Sequence, residues 1–189
     1  MIDLDTMRNK QVDNYLITGQ VGKGGMGVVF AATDVTLQRK VALKFLPEDL
    51  SEDESMVKRF VREARSSARL NHPNIVTVYG VGAYEKTYYI AMELVEGMAL
   101  DALIRQSGKL PVPRAVNIIR QAADALAEAH AAGIIHRDVK PQNMLVAKND
   151  LVKIMDFGLA MATYENTSLT AEGVSLGTPD YMSPEQWKD

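Results

Sequence analysis

Apolar and polar residues alternate along the first part of the chain, from Tyr15 to about Leu46. This segment is rich in Val, Ile, Thr and Tyr and contains Gly-rich and Asp-containing turns, so it predicts three strands in an antiparallel meander. Two further strand-like runs, Ile75 to Val81 and Thr87 to Leu94, complete a small sheet. The pattern then breaks at Glu96-Gly97, where turn residues replace the alternation.

A helical pattern interrupts the strands, from about Glu52 to Leu70. Ser51 and Glu54 have the spacing of a capping box at its start, and residues 71–73 (Asn-His-Pro) stop it. Its apolar residues fall on one face, which consists of Met56, Val57, Phe60, Val61, Ala64 and Ala68. The sheet lobe is therefore predicted to carry one amphipathic helix.

Beyond the sheet the pattern becomes mainly helical, and we place a domain boundary near Val95, between residues 1–95 and 96–189. The strongest helix runs from about Pro113 to Ala132, with proline in the first turn and Gly133 as a C-terminal cap. Apolar or half-polar positions at a spacing of three to four predict its inner face, namely Val116, Ile119, Ala123, Leu126 and His130.

Composition removes several classes of function. The chain has 189 residues and a formal net charge of −3 with scattered basic residues, so we expect no nucleic-acid partner. Without cysteine it has no disulfide, thiolate metal site or cysteine nucleophile, and its three widely spaced histidines (His72, His130 and His136) do not suit a helical zinc site. An acidic N-terminus and the lack of any long apolar run predict no signal peptide, no membrane segment and a cytoplasmic location.

Three glycines, Gly22, Gly24 and Gly27, have the spacing G-x-G-x-x-G, which lets a backbone approach a phosphate closely. A dinucleotide-binding fold needs a helix after the third glycine, whereas here a β-branched strand continues through residues 28–31. The glycines therefore lie in a hairpin between two strands. A merely flexible glycine turn remains the alternative interpretation.

Lys44 lies inside the otherwise apolar strand sequence VALKF. An ammonium group there is costly unless a negative group meets it. One interpretation is a strand lysine that faces solvent. The other is a lysine that holds nucleotide phosphates and is fixed by a carboxylate on the neighbouring helix, for which Glu63 is the candidate because Glu52 and Glu54 suit a capping role better.

The octet HRDVKPQN combines an acid, a base and an amide within six residues. Asp138 could accept a hydroxyl proton, Lys140 could neutralise a moving phosphoryl group, and the Asn143 carboxamide could ligate a divalent cation. Phosphoryl transfer depends on positioning and charge stabilisation, so it requires such a set at short range. Asp and Asn are also ordinary turn residues, so a purely structural turn is the alternative interpretation for either residue taken alone.

Downstream, KIMDFGLA supplies Asp156, a second oxygen donor for hard cations, just after a short apolar strand. It completes a series of five motifs in a fixed order. On these motifs the chain resembles the catalytic domain of protein kinases, most closely the eukaryotic-like Ser/Thr kinases of bacteria, over nearly all of residues 13–187. The resemblance implies a two-lobed α+β fold, with a small antiparallel β-sheet lobe plus one helix and an incomplete, mainly α-helical C-terminal lobe.

The resemblance also implies an ATP-dependent Ser/Thr protein kinase with Mg²⁺ as cofactor and proteins bearing Ser or Thr as substrates. It assigns Asp138 as catalytic base, Asn143 and Asp156 as magnesium ligands, and Lys44 with Glu63 as an ion pair. By the same resemblance Met92 would be the gatekeeper of the adenine pocket, and core packing is the alternative for each pocket residue. The implied nucleotide-binding set is Val21, Gly22, Gly24, Gly27, Val29, Ala42, Lys44, Met92, Glu93, Val95, Leu145 and Asp156.

Regulation through a loop is implied by the polar, Thr/Ser-rich stretch from Ala160 to Gly177. Arg137, beside Asp138, could meet a phosphorylated loop residue, and Thr170 is placed most like the family's phosphosite among the candidates Thr167, Ser168, Thr170 and Ser175. Glu172 could supply one built-in acidic charge. Specificity for Ser/Thr is indicated by Lys140 and by Thr178 in GTPDY.

The chain departs from the family's pattern by ending at Asp189, soon after Ser183-Pro184-Glu185. An incomplete lower lobe is expected to expose apolar faces of the Pro113 to Ala132 helix, which predicts marginal stability or self-association. Three interpretations stay open: a working kinase, a nucleotide-binding module without efficient transfer, and a fragment with an interaction role.

Overall fold

The computed structural model describes residues 4–24, 27–157 and 179–186. The chain divides into two compact units, one formed by residues 1–69 and 77–94 and the other by residues 70–76 and 95–189. The short segment 70–76 thus belongs to the second unit although its chain neighbours on both sides belong to the first. No helix among the described residues is long and apolar enough to cross a membrane.

The first unit contains one six-stranded antiparallel sheet in the order β1-β2-β3-β4-β6-β5. Its strands are β1 Gln11–Val12, β2 Tyr15–Gly24, β3 Gly27–Asp34, β4 Arg39–Phe45, β5 Val78–Tyr84 and β6 Thr87–Glu93. The predicted three-stranded meander is confirmed by β2, β3 and β4. The strand predicted from Ile75 is wrong at its start, because the backbone of Ile75 and Val76 is bonded to His72 and Ile154 in the second unit.

Both faces of β4 are buried, which explains its nearly continuous apolar sequence. Val41, Leu43 and Phe45 join the core on one face, where the Phe45 ring packs against Tyr89 with centroids 5.5 Å apart. Side chains alternate along a strand, so Lys44 lies on the opposite face. The sheet therefore has a second buried face, and Lys44 lies on this face rather than in the aromatic core.

The first unit begins with the short helix α1 Leu4–Met7. Two helices, α2 Glu48–Ser51 and α3 Glu54–Ser67, follow β4. The single predicted helix with a Ser51 cap is wrong. Asp53 is the cap, and its carboxylate accepts the backbone N–H two residues further on at 2.8 Å. The Ser51 hydroxyl instead donates to the carbonyl of Pro47, because Pro47 starts a separate helical turn. The amphipathic character of α3 is confirmed.

The second unit is built around α5 Val112–Ala131, preceded by α4 Leu100–Ser107, a helix that the sequence pattern did not indicate. Gly133 follows α5 with φ of 73°, the left-handed geometry expected of a helix-terminating glycine. The predicted inner face is wrong at Val116 and Ile119, which are 60% and 57% exposed, and at the exposed Ala123 and His130. It is right at Leu126, which packs against the core. The buried face consists of Ile118, Gln121, Ala122, Ala125 and Ala129.

A three-stranded antiparallel sheet also lies in the second unit, with β7 Gly97–Ala99, β8 Met144–Ala147 and β9 Val152–Ile154. The short apolar strand expected just before Asp156 corresponds to β9. The prediction of a mainly helical second part missed β7 and β8, because strands of three or four residues are too short to produce a periodic signal. Single helical turns flank them at Pro141–Asn143 and Lys148–Asp150. The predicted α+β class is confirmed.

Candidate active site

The loop that precedes β8 brings two of the predicted residues, Lys140 and Asn143, to the carboxylate of a third, Asp138. Lys140 Nζ lies 2.8 Å from Asp138 Oδ2, and Asn143 Nδ2 donates to that same oxygen and to the Asp138 carbonyl, each at 2.8 Å. The helical turn Pro141–Asn143 brings the amide back toward the acid, with the Asn143 N–H donating to the Lys140 carbonyl at 3.0 Å. Acid, base and amide are thus held together by local structure.

The hairpin formed by β8 and β9 brings the two predicted cation ligands to its open end. Met144 pairs with Ile154, so Asn143 lies just before this pair and Asp156 just after it. The Met155 N–H donates to the Asn143 carbonyl at 3.0 Å, which extends the hairpin by one bond. Asp156 itself adopts φ of 62°, a left-handed conformation that turns the chain as it leaves β9.

His136, which the sequence analysis gave no role, connects the loop that carries Asp138 to the chain around Asp156. Its ring is 1% exposed, its Nδ1 accepts the Asp138 N–H at 3.2 Å, and its Nε2 lies 3.0 Å from the Met155 carbonyl. Because Nδ1 accepts, Nε2 carries the proton and donates to Met155. The ring also packs against Phe157, with centroids 4.6 Å apart.

Burial lowers the pKa of His136, although the Met155 carbonyl and the Asp138 carboxylate partly oppose this effect. The imidazole is therefore neutral near pH 7, in the tautomer that both bonds require. The only signal in the sequence was the position of this histidine between apolar anchors, which does not distinguish a linking residue from a core residue.

In the first unit, strand register places several predicted nucleotide-binding residues on one face of the sheet. Val29 lies opposite both Gly22 and Lys44, and Ala42 lies opposite Met92. Direct cross-strand partners share a face, as do residues two apart, so Val29, Lys44, Ala42 and Met92 point the same way. This face is opposite the aromatic core of the unit.

Lys44 and Glu63 are both buried in the first unit, at 4% and 7% exposure, and each has an interaction partner. Burial removes the interpretation of Lys44 as a lysine that faces solvent. Glu63 lies on the buried face of α3 together with Met56 and Phe60. A carboxylate and an ammonium in such surroundings need compensation, so the predicted pair remains the physical expectation.

The three loop glycines differ in what they require of the backbone. Gly27 has φ of 113°, and a Cβ there would overlap the Phe45 carbonyl oxygen of the neighbouring strand. At Gly22 and Gly24 a Cβ would meet no described atom within 4 Å. Gly27 is thus needed for strand geometry, while the other two leave open space above the backbone.

The remaining predicted residues have less distinctive positions. Val21 is 55% exposed on β2, while Glu93, Val95 and Leu145 are half-buried. The loop candidates Thr167, Ser168, Thr170, Glu172, Ser175 and Thr178 lie outside the described residues. Arg137 has φ of 65°, and its carbonyl accepts the side-chain amide of Gln186 at 2.8 Å, a link that the sequence did not indicate.

Comparison with known families gives one match over most of the chain. Residues 15–189 match the family described as the protein kinase domain. The chain belongs to this family. The resemblance drawn from the five motifs is thereby confirmed.

Curated bacterial members of the kinase family share well over a third of the aligned residues. The chain is 42% identical over 185 residues to the serine/threonine-protein kinase PknE of Mycobacterium bovis, an alignment that covers 98% of this chain and 32% of PknE. It is 44% identical over 172 residues to the serine/threonine-protein kinase PrkC of Bacillus subtilis, covering 91% of this chain and 26% of PrkC. The chain thus spans about a third or less of these relatives.

Solved kinase structures agree with the fold. The crystal structure of the Mycobacterium tuberculosis PknI kinase domain matches with a TM-score of 0.72 and 30% identity, covering 80% of this chain and 62% of that chain. The kinase fold expected from the motifs is confirmed by this match.

Proposed function

We propose that this chain carries the catalytic machinery of a serine/threonine protein kinase, which transfers the γ-phosphoryl group of ATP to Ser or Thr hydroxyls of proteins. The observation that carries the proposal is the Asp138 carboxylate held at 2.8 Å by both Lys140 and Asn143. Kinase-family membership and the similarity to curated serine/threonine kinases support it.

In the proposed reaction the substrate hydroxyl oxygen attacks the γ-phosphorus while the bond to the ADP oxygen breaks. Asp138 orients this hydroxyl and takes up its proton. Lys140 uses one of its three N–H donors on Asp138 and can direct another at the transferred group, where it offsets negative charge. The amide of Asn143 fixes the carboxylate so that positioning need not be established during the reaction.

The donor set fits a magnesium ion. The amide nitrogen of Asn143 is used by Asp138, so its oxygen is the end that can meet a cation. The hairpin register brings the backbone of Asp156 to the same end of the hairpin, and its carboxylate is the second proposed ligand. The described residues contain no group of three or more His, Cys, Asp or Glu that could hold a metal, which agrees with Mg²⁺ taking its other ligands from phosphates and water. Bound there, the ion would neutralise phosphate charge.

Phosphate binding in the first unit is assigned to Lys44, with Glu63 as the carboxylate that orients it. The burial of both residues and the open backbone at Gly22 and Gly24 support this assignment. Val29, Ala42 and Met92 would contact the nucleotide from the face that they share with Lys44. Leu145, Val21 and the backbones of Glu93 and Val95 complete the proposed set.

The test is phosphate transfer from magnesium ATP to a generic basic protein, using the 189-residue chain, Asp138→Asn and the matched control Asp49→Asn, an exposed acid on α2. We expect transfer by the first and third proteins, and a rate lower by at least about 10²-fold for Asp138→Asn. Binding of magnesium ATP without transfer would select the nucleotide-binding alternative. Equal transfer by all three proteins would contradict the role of Asp138.

The proposal includes autophosphorylation, in which the chain phosphorylates a residue of its own loop. Mapping the labelled residue tests Thr170 against the other loop candidates, and Glu172→Ala tests whether the acidic residue matters. If chains phosphorylate one another, the rate per chain rises with chain concentration, which would support self-association. A rate per chain that stays constant would indicate transfer within one molecule.

A further inference from the structure

A buried pair of carboxamides lies in the second unit, apart from the catalytic loop. Asn74 Nδ2 donates to Gln121 Oε1 at 2.9 Å and to the Val152 carbonyl at 2.8 Å. Gln121 Oε1 also accepts the Val152 N–H at 3.0 Å, and Gln121 Nε2 donates to the Asp150 carbonyl at 2.8 Å. Both side chains are buried, and the bonds join three segments that are distant in sequence.

Packing alone does not explain Gln121. It lies on the buried face of α5 among Ile118, Ala122 and Ala125, where an apolar side chain would fill the same space without a polar group to satisfy. The carboxamide instead bonds to backbone groups of the hairpin. The Gln121 carboxamide therefore supplies hydrogen-bond partners to that backbone, because a buried N–H or C=O without a hydrogen bond destabilises the fold.

Those backbone groups belong to the outer edge of β9. On its inner side β9 pairs with β8. On its outer side the N–H and C=O of Val152 bond to Gln121 and Asn74, and those of Ile154 bond to the Asn74 carbonyl and the Val76 N–H at 2.8 and 2.9 Å. Side chains and segment 70–76 thus act as the missing neighbouring strand of β9.

This edge fixes the strand that delivers Asp156. β9 ends at Ile154, two residues before Asp156, and its register against β8 sets where Asp156 lies relative to Asn143. A strand of three residues has few ladder bonds of its own, so loss of its edge partners would loosen its end. We propose that Gln121 is a positioning residue for Asp156, acting through the outer edge of β9, and that Asn74 completes this role.

The contact between Arg114 and Asp150 involves only the turn before β9, and it allows the effect of the turn to be tested apart from the effect of the β9 edge. Arg114 donates to both carboxylate oxygens of Asp150 at 2.8 to 3.2 Å, from a partly exposed position on α5. It holds the turn by a side chain, whereas Gln121 bonds to the backbone of the turn and of β9. Arg114→Ala therefore removes the side-chain contact to the turn and leaves the Gln121 bonds to the turn and to the β9 edge in place.

The experiment is amide hydrogen exchange on the nucleotide-free chain, with Gln121→Met, Gln121→Glu, Arg114→Ala and Gln106→Met as an exposed-glutamine control. Gln121→Met removes the bonds to Asn74, Val152 and Asp150 together with a longer one to the Asn117 carbonyl, whereas Gln121→Glu keeps the acceptor and loses the donor to Asp150. We expect amides of residues 152–156 to exchange about tenfold faster or more in Gln121→Met, less so in Gln121→Glu, and as in the parent for the other two variants. Amides of the first unit stay unchanged.

The free Mg²⁺ concentration that half-saturates binding of a fluorescent ATP analogue provides the second readout, and it rests on the proposed function. We expect it to rise about tenfold in Gln121→Met, in the range known for groups that orient metal ligands. If the parent chain binds no nucleotide, the proposed function fails, and the exchange result still decides the positioning role.

Two results would overturn the inference. One is unchanged exchange at residues 152–156 in Gln121→Met; the other is faster exchange spread evenly over the second unit, which indicates a purely structural role. If Gln121→Met does not fold, exchange in the parent decides the question. The proposal treats the bond from the Val152 N–H to Gln121 as equivalent to a bond between strands, so the Val152 amide must exchange as slowly as the Ile154 amide. Rapid exchange of the Val152 amide would refute the proposal.

Discussion

Asn143 donates its side-chain N–H to the Asp138 carboxylate and to the Asp138 carbonyl, both at 2.8 Å. One amide thereby fixes both the side chain and the backbone of the proposed catalytic base. The same orientation leaves the amide oxygen as the end of Asn143 that can ligate a cation. The proposed base and the proposed metal site are therefore coupled through a single side chain.

Removing the Asn143 amide is expected to reduce phosphate transfer about 10²-fold, because Asp138 loses one of the two side chains that hold its carboxylate among the described residues. We also expect Asn143→Ala to lower the free energy of unfolding by about 1–2 kcal/mol, since it removes a partner of a part-buried carbonyl. Steady-state transfer and urea unfolding measure the two effects. The neighbouring exposed Gln142→Ala is the control, and equal activity of the two variants would remove Asn143 from the proposed site.

Lys44 and Glu63 are expected to be energetically coupled. Replacing one member of a buried pair leaves the other uncompensated, so the Lys44→Met, Glu63→Gln double variant should lose less stability than the sum of the losses of the two single variants. A double-mutant cycle measured by urea unfolding should give a coupling of about 1–3 kcal/mol. The same cycle with the exposed Glu52 in place of Glu63 should give none. Additive effects in the first cycle would disprove the ion pair.

Acid is expected to destabilise the chain through His136. Burial lowers the pKa of His136 in the folded state. When the pH falls below the ordinary histidine pKa near 6.5, the unfolded chain therefore binds the proton before the folded chain does. The contribution of neutral His136 to stability is thus complete above that pH and is lost toward the lower folded pKa, by up to about 1.4 kcal/mol per pH unit.

Urea unfolding between pH 7.5 and 5.5 measures this loss, and His136→Gln should lose less over the interval than the parent. The exposed His130→Gln should follow the parent. If His136→Gln shows the parent's pH dependence, other groups are responsible for it.

Two glycines of the same motif are expected to respond differently to alanine. Gly27→Ala should lower the free energy of unfolding by about 1–3 kcal/mol, because its φ of 113° and the Phe45 carbonyl both oppose a Cβ. Gly22→Ala should change it by less than about 0.5 kcal/mol and raise the KM for ATP, because the space above Gly22 is open among the described residues. Thermal unfolding and steady-state kinetics measure these effects. Equal loss of stability at both positions would contradict the distinction.

Much of the proposed site could be predicted from the sequence because its chemistry is local. Asp138, Lys140 and Asn143 lie within six residues, so their meeting depends on one loop and one helical turn. The meander of β2, β3 and β4 was likewise predictable, since alternation and turn residues act over short distances. Motif order then indicated the family, which the comparison confirmed.

Contacts between distant segments could not be predicted in this way. Helix α5 carries apolar residues on several sides, so periodicity favoured Val116 and Ile119, whereas the structure buries Ile118 and the polar Gln121. Which side is covered depends on the hairpin and segment 70–76, which arrive from elsewhere in the chain.

The sequence by itself thus determined the family and the residues able to carry out chemistry, because those depend on side-chain type and short spacing. Only the tertiary structure decided which backbone edge Gln121 completes, which carbonyl His136 meets and which glycine is sterically required. Each of these depends on where a remote backbone group lies, and that position is set by packing of the whole unit rather than by local sequence.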